Sequence, residues 1–180
     1  MTSPEERSLS LSEWLVLCLV CEQPRHGFAI ARLLEAEGSL GKVWRVPKPV
    51  IYRALQRLEQ LGFVRTTEQQ ASRQGPVRSL IDATPAGREA VSDWLSRPVS
   101  HTRDVRSELL VKLALLDRAG ADPQPLLEAQ REHLLPLADA LRARLDEAAG
   151  FDRTLVLWRY ETVSAAIRFL DSLRARTPAR

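Results

Sequence analysis

Between Pro49 and Gly62 the apolar residues Ile51, Leu55, Leu58 and Leu61 recur at spacings of four, three and three, with polar and charged residues between them. That period is helical, and a short helix with one apolar stripe needs a partner surface to bury it. Pro49 suits the first turn, where its missing N–H is not needed, and Gly62 supplies the stop. The preceding chain offers two partners. Ser10 with Glu13 makes a capping box ahead of the apolar run Trp14 to Cys21. After a break at Glu22 to Arg25, which contains Pro24, a second helix starts beyond His26 and Gly27; Phe28, Ile30, Ala31, Leu33 and Leu34 form its buried stripe and Gly38 its stop. Val43, Trp44 and Val46 read as a brief strand before the third helix.

Past Gly62 the period changes. Phe63 to Glu68 reads as a strand, Gln69 to Pro76 as a polar loop and Val77 to Ala83 as a returning strand. Thr84 followed by Pro85 opens a helix that runs to about Leu95. The polar break Arg97 to Arg103, with Pro98, divides the chain into a domain over 1–97 and a helical domain over 104–180. In the second domain Val105, Leu109, Leu113 and Leu116 mark one helix, closed by Gly120. Leu127, Leu134, Leu141 and Ala148 are spaced by sevens, with Leu137, Ala138 and Leu145 on the same face. Pro136 is expected to kink or interrupt that helix and Gly150 to end it. A last helix carries Leu155, Trp158, Thr162, Ala166, Phe169 and Leu173 on one stripe. The fold class is therefore mainly α with a small β-hairpin: a winged helix-turn-helix domain followed by a C-terminal helical dimerisation region.

The net charge of the chain, +3, does not by itself name a partner, but its distribution is uneven. Lys42, Arg45, Lys48, Arg53, Arg57, Arg65, Arg73 and Arg78 face only Glu59 and Glu68 over that stretch, a local charge of +6, which leaves the rest of the chain at −3. The excess falls on the third helix and the hairpin, the elements that a winged helix presents to double-stranded DNA. With the leucines turned inward, Lys48, Tyr52, Arg53, Gln56 and Arg57 lie mainly on the other side. Arginine pairs with guanine edges or phosphates, glutamine with adenine, and a tyrosine hydroxyl donates to phosphate. Arg45 belongs to the same basic group. Arg73 reaches a minor groove or lies on plain surface, and Arg78, at the start of the returning strand, touches phosphate or is equally plain surface.

Other chemistries are not supported. Cys18 and Cys21, the only cysteines, are spaced C-x-x-C inside an apolar helical pattern, and His26, His101 and His133 are isolated. The pair reads as core thiols rather than a redox or metal site. No phosphate loop, G-x-S-x-G or nucleophile with an evident base is present, so neither an enzyme nor a cofactor is expected. No apolar run is long enough to cross a bilayer, and the polar start Met1 to Ser10 is unlike a secretory signal, so the expected compartment is the cytoplasm. The alternative function is a winged-helix interaction adaptor without specific DNA binding.

The motifs Arg25-His26-Gly27-Phe28, Val50-Ile51-Tyr52-Arg53-Ala54-Leu55-Gln56-Arg57-Leu58-Glu59, Gly62-Phe63-Val64 and Thr84-Pro85-Ala86-Gly87-Arg88 occur in this order and spacing over the first half of the chain. Together they resemble the PadR-like transcriptional regulators, and Glu108-Leu109-Leu110-Val111-Lys112-Leu113 is similar to the family's variable C-terminal part. The resemblance implies a dimer paired through its C-terminal helices and repression that responds to a small molecule. It makes His26 a helix-capping residue and Tyr52 a recognition-helix residue. Lys48, Pro49 and Val50 before Ile51, and Leu80 and Ile81 in the returning strand, depart from the family's small residues and aromatics.

The C-terminal helices carry more apolar surface than a two-helix extension buries, and a second copy would hide it and supply the two-fold symmetry of a pseudo-palindromic site. Leu134, Leu141, Trp158, Ala166 and Phe169 are the residues expected on that surface, the alternative being a core against the helix at Val105 to Leu116. Trp14, Trp94 and Trp158 are candidates to line an effector pocket, or else belong to the core.

Overall fold

The computed structural model describes residues 9–70 and 78–175, which divide into two compact units meeting between Leu95 and Ser96. The first unit contains α1 (Leu11–Glu22), β1 (Arg25–His26), α2 (Gly27–Leu34), α3 (Lys48–Gln60), β2 (Val64–Gln70), β3 (Arg78–Ala83) and α4 (Pro85–Ser96). The capping box forms as the sequence predicts: Ser10 Oγ accepts from the Glu13 N–H, and the Glu13 carboxylate accepts from the Ser10 N–H at 2.7 Å. Leu15, Val16, Leu17, Cys18, Leu19 and Val20 are all buried, so α1 is apolar around its whole circumference and forms the centre of the unit. Burial pushes the Cys21 thiol up to about 11, against the opposing pull of Arg88, which keeps it protonated and inert at neutral pH.

Helices α2 and α3 pack on α1 through Ile30, Ala31 and Leu34 and through Ile51, Ala54, Leu55 and Leu58. Between α2 and α3 the segment 35–47 carries no strand. The Val43 and Trp44 N–H groups both donate to the Leu40 carbonyl, folding it into turns, and Val46 is buried singly before Pro47. The third strand of the sheet lies elsewhere, at Arg25–His26. It pairs antiparallel with β3 (Arg25 with Ile81, His26 with Leu80), so the strand order is β1-β3-β2. Only the partner strand reveals so short an element, which sequence patterning does not register. The β2–β3 hairpin runs in register from Val64 opposite Ala83, with an irregularity between Thr66 and Glu68. Gly62, at φ 75, ends α3 in the left-handed conformation that glycine adopts without strain. Thr84 then joins turn to helix: its Oγ1 donates to the Gly62 carbonyl at 2.7 Å and accepts from the Gly87 N–H, capping α4.

The second unit contains a 3-10 turn (Thr102–Arg106), α5 (Glu108–Ala119), α6 (Gln124–Glu147) and α7 (Gly150–Arg174). Helix α5 begins later than the sequence suggests, because Val105 lies in the 3-10 turn. Helix α6 continues through Pro136 for 24 residues. The hydrogen bond that the proline removes is outweighed by the burial of Leu127, Leu134, Ala138 and Leu141 on either side of it. Gly150 opens α7 rather than closing α6. The two long helices run antiparallel, joined by a tight link, with Arg131 on Asp171 at 2.7 Å and Arg174 on Glu128 at 3.1 Å tying the start of one to the end of the other.

The stripe that α7 buries is Val156, Val163, Ala166 and Leu170. Of the stripe read from the sequence, Ala166 belongs to it, while Leu155, Trp158 and Phe169 are exposed. Two buried polar residues fasten the chain entering this unit. Lys112, 1% exposed, donates from Nζ to the Arg97 carbonyl and pairs with Glu108 at 2.9 Å. The Gln130 amide accepts from the Val99 N–H at 2.6 Å and donates to the Val99 carbonyl at 3.1 Å. Replacing Gln130 by Leu strips both backbone groups of their partners, at about 1–3 kcal/mol each. A urea titration of Gln130→Leu should show a lower midpoint at unchanged slope; a midpoint equal to that of the wild type would mean that Val99 finds other partners.

Candidate nucleic-acid interface

The position of the site follows from α3. Burial of Ile51, Ala54, Leu55 and Leu58 on α1 and α2 leaves Lys48, Pro49, Tyr52, Arg53 and Gln56 together on the outer face, all exposed. Val50 and Ile51 donate to the Pro47 carbonyl, and Pro49 has no N–H, so little unsatisfied backbone remains at this helix start. Any anion binding there relies on side chains.

Ion pairs sort the basic residues. Arg57 is half-buried and reaches Glu13 of α1 at 3.3 Å, an almost buried carboxylate already held by Ser10. Lys48 pairs with Glu35 at 3.2 Å with both groups in water, and its Nζ stands 5.7 Å above the centre of the Phe28 ring. Arg65, on the hairpin, lies 3.7 Å from Asp82, which also takes Arg88 at 2.8 Å. Among the described residues Arg53 and Arg45 have no ion-pair partner. Arg78 opens β3, its backbone opposite Gln70. Arg73 lies outside the described residues.

Two contacts on this face are not visible in the sequence pattern. Phe28, expected in the buried stripe of α2, is 59% exposed beside Lys48. Gly27 leaves room for the Tyr52 ring: a Cβ on it would stand 2.9 Å from Tyr52 Cε1 and 3.3 Å from Leu55 Cδ1. His26 occupies the N-cap position of α2 without capping it. Its Nδ1–H donates instead to the Ser79 carbonyl at 3.0 Å, linking the start of α2 to the hairpin.

The remaining candidates fall as follows. Trp14 and Trp94 stack on each other at 5.0 Å between centroids, 7° from parallel, with Trp94 buried. Trp158 stands 69% exposed on α7 of the second unit. Leu134 is fully buried in the core of its own chain and presents nothing outward. Leu141 and Ala166 form the floor, and Trp158 and Phe169 the wall, of an open groove of about 810 Å³ rimmed by Arg103, Arg106, Arg144 and Arg159. Among the described residues no group of histidine, cysteine and carboxylate side chains is placed to hold a metal ion, and no helix is long and apolar enough to cross a membrane.

Residues 16–93 match the sequence profile of the transcriptional regulator PadR-like family. The probable transcriptional regulator Rv1176c of Mycobacterium tuberculosis is 31% identical over 105 residues, which are 58% of this chain and 53% of that protein. An uncharacterised 37.1 kDa protein in transposon TN4556 of Streptomyces fradiae is 32% identical over 139 residues, 77% of this chain and 36% of that protein. The chain thus spans about half or less of the length of these curated relatives. The crystal structure of Bacillus subtilis PadR in complex with operator DNA is similar at a TM-score of 0.48 and 19% identity, covering 92% of this chain and 98% of that one.

The contact of Gly27 with Tyr52 is testable without any ligand. Tyr52 is half-exposed and free to swing, so Gly27→Ala should displace the ring while changing stability by less than about 1 kcal/mol. Ring-proton contacts between Tyr52 and residue 27 in an NMR spectrum should then be lost at a nearly unchanged melting temperature. Retention of those contacts would show that the backbone of α2, and not the tyrosine, gives way.

Proposed function

We propose that this chain, whose residues 16–93 match the PadR-like family of transcriptional regulators, acts as a member of that family and binds double-stranded DNA as a homodimer, with α3 in the major groove and the hairpin along the backbone. In this reading it acts in the cytoplasm as a repressor relieved by a small-molecule effector, and carries no catalytic role. The observation that carries the proposal is the outer face of α3: Arg53, without an ion-pair partner among the described residues, stands with exposed Tyr52 and Gln56 in the most basic stretch of the chain.

The side chains divide by role. Arg53 and Gln56 have the length and donor geometry for base edges, arginine on guanine and glutamine on adenine. Tyr52, Lys48 and Arg45 are placed for phosphates, which set register and affinity. Lys48 gives up little to do so, because an exposed pair such as Lys48–Glu35 is worth at most about 1 kcal/mol. Arg57 supports the helix from behind through Glu13. Arg73 and Arg78 are assigned to the hairpin's contact with the backbone or minor groove. An adaptor built on this fold would have no need of such a face, which favours DNA over protein as the partner.

Arg53→Ala should weaken binding to the duplex upstream of the protein's own gene by about 1–3 kcal/mol and flatten discrimination against random duplex. Arg45→Ala should weaken both duplexes alike and lower the salt slope by about one. Fluorescence anisotropy over a salt series reads both; no binding at low salt would overturn the proposal in favour of the adaptor.

The dimer is proposed on the apolar outer side of the second unit, where Leu137, Leu157, Trp158 and Phe169 are exposed. Sedimentation at micromolar concentration should give twice the chain mass, and Trp158→Glu should shift it towards a single chain. A wild-type monomer would remove the two-fold arrangement.

A further inference from the structure

The α2 and α3 helices and the hairpin enclose a cavity of about 690 Å³ whose character is opposite to its surroundings. It lies in the most basic stretch of the sequence, yet among the described residues no lysine or arginine lines it, and the one carboxylate among them is Glu59. Of the neighbouring cations, Lys48 pairs with Glu35, Arg57 with Glu13 and Arg65 with Asp82, while Arg53 is exposed on the outer face of α3 and is not among the lining residues. Thr66 Oγ1 donates to Glu59 Oε1 at 3.0 Å and fixes the carboxylate beside the hairpin. The wall is largely apolar and partly aromatic, with Phe28 and Tyr52 both more than half exposed and Ile81 behind them. The Lys48 ammonium stands 5.7 Å from the centre of the Phe28 ring, so the ring already takes part in a cation–π contact, and a bound cation would use its other face or displace Lys48.

A cavity of this size, mostly apolar and with a few convergent polar groups, has the form of a small-molecule site. Its charge selects among ligands. An anion would meet Glu59, with the Lys48 ammonium over Phe28 already paired to Glu35, whereas a cation gains from the carboxylate and from the rings of Phe28 and Tyr52. Tyr52 and Gln56 line the same cavity, and both stand on the face assigned above to DNA.

We propose that this cavity binds an organic monocation with a bulky apolar body, held by Phe28, Tyr52 and Glu59, and that ligand and duplex exclude one another because they compete for Tyr52 and Gln56. The location and charge preference of the site stand on the cavity alone; the competition rests on the DNA reading. Relief of DNA binding would then be direct, at the recognition helix, without relay from the second unit.

Tetraphenylphosphonium and tetraphenylborate have the same shape and opposite charge, and they separate these statements. Equilibrium dialysis against the full chain without DNA should give at least about tenfold tighter binding of the phosphonium, the size of preference expected of one carboxylate and a cation–π contact in a partly dry site. Glu59→Gln keeps an oxygen for Thr66 and should remove most of that preference; Phe28→Ala should weaken the phosphonium at an unchanged melting temperature. Equal binding of the two probes, or a preference that survives Glu59→Gln, overturns the site. In the presence of the upstream duplex, phosphonium should raise the apparent dissociation constant of the wild type and not of Glu59→Gln. Phosphonium binding that leaves duplex affinity untouched overturns the competition. A chain that binds no duplex even at low salt defeats the DNA reading and the competition with it, while dialysis still decides the site.

Discussion

Ile51, Leu55 and Leu58 must leave water, and the surface that receives them is made by α1 and α2. Helical geometry does the rest. Once those positions face inward, positions 48, 52, 53 and 56 cannot, and the side chains there are a lysine, a tyrosine, an arginine and a glutamine. Each of these buried side chains contributes about 1.5–3 kcal/mol relative to exposure, so the orientation of the outer face is fixed by their sum, which exceeds any single contact that the face itself could make. The surface proposed to meet DNA is a by-product of core packing and needs no local rigidity of its own, apart from the seat that Gly27 gives to Tyr52.

On that face, charge alone does not tell which basic residue is available. Arg53 and Arg57 are one turn apart on the same helix and identical in chemistry. Arg57 is bound to a carboxylate that is itself nearly buried and part of the α1 capping box, so removing it would leave Glu13 with an unbalanced charge in a poorly solvated place. Lys48 pairs with Glu35 with both side chains about half exposed, where exchange for a phosphate costs at most about 1 kcal/mol. Depth of the partner, more than distance, separates a structural cation from an available one.

The parts of this architecture that were legible in the sequence are those specified within a few residues. The Ser10–Glu13 box, the Pro49 start and Gly62 stop of α3, the hairpin and the Thr84 cap all appear where local signals place them. What escaped depends on distant partners. A two-residue strand at Arg25–His26 exists only because β3 lies beside it. Phe28 satisfies the helical period of α2 as well as Ile30 does, yet it faces outward, because nothing in the period says how wide the receiving surface is. His26 was legible as the residue that opens α2, but its ring serves Ser79, 53 residues away. Pro136 illustrates the reverse: the local signal was strong, and packing on both sides overrode it.

Helix α7 poses the same ambiguity on a larger scale, with a consequence for assembly. It has two apolar stripes offset by less than a turn: Val156, Val163 and Leu170 close the core with α6, while Leu155, Trp158 and Phe169 remain outside. Periodicity finds both and ranks the one with the larger residues first, although the smaller residues are those that let α6 come close. A Trp or Phe side chain buries about 150–250 Å² in full, but Trp158 is 69% and Phe169 36% exposed, so covering what remains of the two is worth roughly 6 kcal/mol together at about 25 cal/mol per Å² as an upper bound. An isologous contact counts each residue twice, once from each copy. Two exposed aromatics on a helix whose inner face is already satisfied therefore represent a driving force of the right order for pairing.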